Sequence, residues 1–540
     1  MVAAWTSPTK TFRSALQNLR IRMLIKSAAV VGMFTLASRC LGFIRDILIA
    51  FYLGAGAAGD AFFIAFKLPN LFRRLFAEGA FNLAFVPLFS AKLTSEGKRG
   101  AFQFAEEALS ILLVVLVIFV GLSQLAMPWL VMLIAPGFAD DPERFDLTVY
   151  LSRLTFPYLL FISLVSLLSG LLNSFQRFAS AAFAPVLLNL CLIGSLLAMG
   201  GSGAGSAIAL AWGVALAGVI QLLWIALNCW RLRLLPSLRY PKLTASVRQL
   251  LKLMLPAVAG AGVVQLNLVV DMVIASLLPG GSVSHLYYAD RVAQLPLGVI
   301  GVAMGTALLP TISRQVAEGD EGSALATQNQ AVELSLTFAI PAALALLVIS
   351  EPIISVLFER GAFTVADSFV TAAVLSAYAL GLPAFILIKV LAPGYFARKD
   401  TKTPVQIAII ALLVNVFLNL ILMQFLGVVG IALASTISSW VNVILLVWGL
   451  KRRRLFRPSP SMLWRIGKLL AAGVVMAAYL WIVQRYGLFG SSLGLWAQVL
   501  TVLVLVITGA GVYFMVSVAS GGLSLQYLRT ISRGGKLDAP

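Results

Sequence analysis

Apolar runs bounded by charge, glycine or proline recur from one end of the chain to the other, and most are too long for the elements of a soluble core. A helix crossing a hydrocarbon layer takes about 20 apolar residues. On that measure the pattern predicts fourteen membrane-spanning helices, near 28–52, 60–91, 104–134, 148–172, 182–199, 206–229, 248–278, 284–312, 330–350, 366–396, 404–426, 428–450, 463–484 and 495–519. An even number puts both termini on one side.

Composition agrees: of 540 residues 60% are apolar and only 11% charged, with a mean hydropathy of +0.97. These values exclude a string of soluble domains and leave no room for an extramembrane domain of useful size. The expected fold class is an all-α polytopic membrane protein. Cys40, Cys191 and Cys229 lie in or beside apolar runs without CxxC or Cys/His spacing, so neither a disulfide framework nor a zinc site is expected. Residues 1–27 carry five basic side chains and no small-residue cleavage site follows the first apolar run, which predicts an uncleaved cytoplasmic segment.

A net charge of +19 would suit nucleic acid only if the basic residues shared a soluble surface. They follow the topology instead. About 29 of the 40 fall in the N-terminal segment and alternate loops, with clusters at 231–252, 398–402, 451–468 and 529–536. The opposite loops hold about four, Arg144, Arg153, Arg360 and Arg485, together with the acidic Asp140, Asp141, Glu143 and Asp146. Lys and Arg concentrate in short cytoplasmic loops, so both termini are expected in the cytoplasm.

The two halves repeat. AFKLPNLFRRLFAEGAFNLAFVP from Ala65 matches ADRVAQLPLGVIGVAMGTALLP from Ala289 with one gap, and Asp46/Asp271, Lys67/Arg291, Pro87/Pro310 and Pro157/Pro383 are separated by close to 225 residues. Six spans per copy is even, so the copies share one orientation, as in parallel-repeat transporters. The expected organisation is an N-lobe at 28–229, a basic linker at 230–247, a C-lobe at 248–450, a final helix pair with its basic linker at 451–519, and a tail at 520–540. Substrate would sit between the lobes.

Seven basic residues remain inside predicted spans: Arg39, Arg45, Lys67, Arg73, Arg74, Arg291 and Lys389. At about 2.5–3.5 kcal/mol each on insertion scales, they imply a hydrated cavity or charged partners. Helix 1 offers Ser38, Arg39, Arg45 and Asp46 in SRCLGFIRD; its periodicity groups Arg39 with Asp46 and Arg45 with Ser38, and Gly42 between them could loosen the helix. Helix 2 offers Asp60, Lys67, Arg74 and Glu78 on one stripe about 27 Å long, with Asn70 and Arg73 on neighbouring faces and Pro69 disturbing the geometry. Helix 8 offers Ser284, Asp290 and Arg291, beside the chain's one histidine, His285. Pairs such as Arg74 with Glu78 have a purely structural reading as ion pairs. The surplus of cation over carboxylate asks for an anionic ligand, and the guanidinium fork suits phosphate.

Other signals fail on context. Gly54, Gly56 and Gly59 spell GxGxxG, but they join two apolar spans and read as a tight extracytoplasmic turn. No Walker, HExxH or GxSxG motif occurs, so no catalytic residue, metal or cofactor is assigned.

SRCLGFIRD, GDAFFIAFKLPNLFRRLFAEGAFNLAFVP, SVSHLYYADR and KVLAPGYFARKDTKTP resemble the signature segments of the MurJ (MviN) family of bacterial lipid II flippases, within the superfamily of multidrug, oligosaccharidyl-lipid and polysaccharide exporters. The resemblance spans essentially the whole chain. It implies two six-helix lobes around a cationic cavity, a groove at helices 13 and 14 for the polyprenyl tail, and Arg39, Arg45, Arg73 and Arg291 as the cavity arginines, with Asp46 and Asp60 as further candidates. It also implies the bacterial inner membrane, lipid II as the substrate, and other wall-synthesis proteins as candidate partners. The rival readings are a flippase for another polyprenyl-pyrophosphate oligosaccharide, a cation or drug antiporter of the same fold, which would put net carboxylate in the cavity, and a non-transport scaffold.

Overall fold

The computed structural model describes residues 9–74, 81–486 and 494–523, and among them every regular element is helical. Among the described residues, ten helices are long and apolar enough to cross a membrane. The chain is a multi-pass membrane protein.

Two compact units divide it. The first comprises residues up to 52, 64–131 and 143–262. Its helices are α1 (Thr9–Leu53), most of α2 (Ala57–Phe72), α3 (Asn82–Ser95), α4 (Gly97–Leu125), α6 (Pro142–Thr155), α7 (Tyr158–Ser174), α8 (Phe178–Met199) and α9 (Ala204–Arg231). Here α8 packs along α9, and α7 along α9 and α3. Polar side chains join these apolar helices by donating to carbonyls: the buried Gln221 amide reaches the Ala184 carbonyl at 2.7 Å.

The second unit takes residues 53–63, 132–142 and 263 onward. It contains α5 (Met127–Ile134) in part, the C-terminal part of α10 (Ala245–Ser276), α11 (Ser282–Pro296), α12 (Val302–Ala317), α13 (Glu321–Val348), α14 (Ser350–Phe358), α15 (Val365–Phe396), α16 (Lys402–Leu426), α17 (Val428–Arg452), α18 (Pro460–Tyr486) and α19 (Leu495–Ala519). The α13, α15 and α17 helices form its packed centre. Polar contacts help tie the final pair to α13: Arg465 of α18 grips Glu333 through Nε at 2.6 Å and Nη2 at 2.9 Å, and the Tyr513 hydroxyl of α19 donates to the Thr337 carbonyl at 2.9 Å. Thr364 and Asp367 form a reciprocal capping box at the start of α15.

Several predicted spans are interrupted. The span expected at 60–91 leaves the α register after Phe72, where Arg73 and Arg74 enter a π-helical turn, and α3 resumes at Asn82. The span at 284–312 divides the same way, with a π turn at Leu297–Gly301 between α11 and α12. A π turn slips the side-chain register by one residue. The stripe expected from Asp60 through Lys67 to Arg74 therefore leaves α-helical register at Arg73, and Glu78 lies outside the described residues. Pro69 lacks the N–H that would bond the Ala65 carbonyl, and the Thr155 hydroxyl supplies that hydrogen bond instead at 2.8 Å. The first helix runs back to Thr9, well before residue 28.

The repeat is written in the backbone. Left-handed residues occur in pairs at offsets of 221 to 227: Gly54 with Gly281, Gly97 with Gly319, Gln176 with Lys399, Gly203 with Gly427, and Arg233 with Arg454.

Candidate functional site

In the first unit, α1 presents Ser38, Arg39, Arg45 and Asp46 within about two turns. Arg45 and Asp46 are only 7% and 2% exposed, and they pair: Nη2 lies 2.7 Å and Nε 3.0 Å from Asp46 Oδ1. A buried ion pair is tolerable only when its remaining donors are also satisfied. Asn189 on α8 does this, accepting from Arg45 Nη1 at 2.9 Å while its own amide donates to the Ser38 carbonyl at 2.9 Å and hydroxyl at 3.3 Å. The predicted grouping of Arg45 with Ser38 is thus realised through a third residue. Gly42 does not loosen the helix; α1 is continuous there, and a Cβ at Gly42 would stand 3.7 Å from the Asn189 amide.

Arg39 differs. It is exposed and makes no hydrogen bond or ion pair among the described residues. Further along, the Asn70 amide donates to the Phe66 carbonyl at 2.7 Å, and its oxygen accepts from Arg73 Nε at 3.1 Å, so Asn70 of α2 ties Arg73 at the start of the π turn. Lys67 and Arg73 are half-buried and Arg74 is exposed.

In the second unit, Asp60 is fully buried and caps the start of α11. Its Oδ2 accepts from the Gly281 amide at 2.7 Å, and its Oδ1 from the Ser284 amide at 2.7 Å and hydroxyl at 2.6 Å. A carboxylate is favoured there because the first amides of a helix have no internal partner and the helix dipole is positive at that end. Close backbone approach makes the cap possible. Gly281 sits at φ 95°, with space for a Cβ blocked by the Ala55 carbonyl at 2.3 Å, and the Tyr288 hydroxyl donates to the Gly54 carbonyl at 3.1 Å. The glycine-rich turn is a packing turn.

One turn on, Tyr287 stacks on Phe63 with centroids 3.9 Å apart. The Arg291 guanidinium lies 4.7 Å from the other ring's centroid, that of Tyr287, and its Nη2 donates to the Tyr287 hydroxyl at 3.1 Å. Asp290 accepts from Gln294. His285 is hydrogen-bonded to Thr371 at 2.9 Å and lies 3.9 Å from Asp367.

Asp271, the repeat partner of Asp46, accepts from Asn419 Nδ2 at 2.9 Å and from the Ser435 hydroxyl at 3.1 Å, and Asn415 joins the network at Ser435. Sequence reasoning missed Asn189, Asn415, Asn419, Ser435 and Tyr287. One signal was available: Asn189 and Asn415 are uncharged polar residues within apolar runs, separated by nearly the repeat length. Among the described residues, no group of three or more His, Cys, Asp or Glu converges as a metal site.

Residues 49–506 match the family model described as "Lipid II flippase MurJ". The chain is 44% identical over 526 residues to a "Probable lipid II flippase MurJ" of Rhizobium meliloti (strain 1021), covering 96% of this chain and 98% of the relative. It is 38% identical to the protein of that name from Rickettsia prowazekii (strain Madrid E), covering 86% and 91%. Among solved structures, "Lipid II flippase MurJ, inward closed conformation" aligns with a TM-score of 0.75 at 27% identity, over 90% of this chain and 99% of that one. A multidrug resistance MATE family transporter of the MOP superfamily, inward-facing, shares the fold alone, with a TM-score of 0.62 at 15% identity over 79% and 98%.

Proposed function

The chain belongs to the MurJ family of lipid II flippases, and on that premise we propose that it carries lipid II from the cytoplasmic to the external leaflet by alternating access. It is a transporter and not an enzyme. The head group of this lipid bears a pyrophosphate, a disaccharide and a peptide, and cannot cross hydrocarbon unaided. The observation that carries the reading is Arg39: a guanidinium in an apolar helix that no described residue neutralises. Such a cation suits an anionic ligand and the water around it.

In this reading Arg39, Arg73 and Arg291 take the pyrophosphate, with Lys67, Asn70, Arg74, Glu78 and Asp290 around them. Arg45 and Asp46 shape the wall beside Arg39, and Asp60 with Ser284 holds the extracytoplasmic end shut while the head group enters from the cytoplasm. The chain crosses the membrane fourteen times, as two six-helix lobes at 28–229 and 248–450 and a final pair at 451–519 that accommodates the polyprenyl tail. Both termini face the cytoplasm of a bacterial inner membrane, as the bias of basic residues supports. Two compact units and a π turn in each copy of the repeat support a rocking motion.

Reconstitution tests it. Labelled lipid II in liposomes is followed by its exposure to an impermeant external probe, with and without a membrane potential. Exposure that needs Arg39 supports transport; equal exposure with the wild type and with Arg39→Ala rejects the role given to this arginine.

A further inference from the structure

The segment connecting α9 to α10 has no regular secondary structure over residues 234–244, yet it is held in place. Ser237 donates to Glu106 Oε1 through its hydroxyl at 2.6 Å and its amide at 3.3 Å, Arg239 Nε pairs with Glu106 Oε2 at 2.6 Å, the Arg239 amide reaches Ser110 at 2.9 Å, and Thr244 donates to Glu107 at 2.7 Å. All three anchors belong to α4. Buried Leu234 and Pro236 seat the strap from below.

What this fixed strap displays outward is unusual. Leu238 is 65% and Tyr240 81% exposed, and Leu235 and Leu243 are exposed as well. Arg233 before them and Arg239 and Lys242 between them are also exposed, and Arg233 turns the chain at a φ of 55°. The strap leaves directly from Arg231, the last residue of an apolar spanning helix, so it runs where hydrocarbon gives way to head groups. Soluble surfaces avoid such a run of large apolar side chains. An interface favours it, since aliphatic and aromatic groups enter the boundary layer while cations meet lipid phosphates.

We propose that residues 232–243 are an interfacial strap that binds anionic phospholipid, with Arg233, Arg239 and Lys242 on the phosphates and Leu238, Tyr240 and Leu243 in the head-group layer. Arg239 serves both sides, held by Glu106 through Nε while about half of its side chain remains exposed. The strap does not depend on which lipid the protein transports.

The purified full chain in detergent is titrated with dioleoylphosphatidylglycerol or dioleoylphosphatidylcholine, and retained lipid is counted by native mass spectrometry. Phosphatidylglycerol should be retained preferentially. Arg233→Gln with Lys242→Gln should weaken that preference about 25-fold, about fivefold per cation, and leave the melting temperature in phosphatidylcholine unchanged. Equal preference in wild type and variant overturns the proposal. Benzoylphenylalanine in place of Tyr240 should cross-link phospholipid in phosphatidylglycerol vesicles; cross-linking to a polypeptide, or to nothing, overturns it.

Discussion

Asp60 and Ser284 stand 224 residues apart, occupy equivalent positions in the two copies of the repeat, and hydrogen-bond to each other at 2.6 Å. Phe63 and Tyr287 repeat the relationship one turn further on, with stacked rings. Where two copies of one helix start meet, identical carboxylates would repel. The pair has diverged into an acceptor and a donor, and this divergence converts a chance of repulsion into a cap.

Asp60→Ala should therefore be the most damaging change at this point, leaving two buried amides and a hydroxyl unsatisfied at about 1–3 kcal/mol each before relaxation. Asp60→Asn keeps one acceptor oxygen but turns an amide toward the Gly281 N–H, and should fall between. Ser284→Ala should cost least, because both backbone amides still reach the carboxylate. Thermal unfolding in detergent checks the order Asp60→Ala, Asp60→Asn, Ser284→Ala; any other order contradicts the capping account.

Arg39 and Asn189 should separate transport from stability. Asn189→Ala strips a hydrogen bond from the buried Arg45 and should destabilise the protein by about 2 kcal/mol. Arg39→Ala touches no partner among the described residues and should leave the melting temperature within a degree or so, while lowering lipid II exposure in liposomes at least tenfold. Parallel melting and transport measurements decide the matter.

Arg291 lies over Tyr287, and a guanidinium on a ring is worth about 1 kcal/mol when partly desolvated. Tyr287→Leu should lower lipid II affinity about fivefold with the charge of Arg291 retained, and Tyr287→Phe should lower it less. Arg291→Lys should lose about tenfold, since an ammonium offers neither the stacking plane nor the bidentate fork. Titration of the purified variants with lipid II reads these ratios.

Asp400 gives a pH signature away from the membrane. Partial burial raises its pKa, but hydrogen bonds from Thr403, whose amide lies 3.0 Å from Oδ1, and the paired Arg453 outweigh that effect and bring it down to about 2. A carboxyl with a depressed folded-state pKa contributes stability above its unfolded value of about 3.9 and loses it as pH falls toward 2. Asp400→Asn should thus melt lower than wild type at pH 5–7 by the equivalent of about 1 kcal/mol, and the two curves should converge near pH 2. A constant gap at all pH values would assign the effect to shape rather than charge.

Ten of the expected spans were legible because a bilayer demands continuous apolar runs, and the charges within apolar runs were legible because they interrupt them. Interruptions of the helices were not. Pro69 and Pro296 are visible in the sequence, but Pro87 and Pro185 sit inside helices that continue, so proline alone does not mark a π turn. Partners were harder still. Arg45 finds Asn189 at a separation of 144 residues, and an asparagine in an apolar helix carries no charge to announce it. Glu78, the candidate ion-pair partner of Arg74, lies outside the described residues.

The paired left-handed turns bear on ancestry. At Gln176 and Lys399 the residues differ and neither is glycine, yet the chain bends alike. What descended through duplication was a set of torsions more than a set of side chains. Drift at these corners is then constrained by geometry and free in chemistry, so a corner from one half should be accepted in the other as a graft.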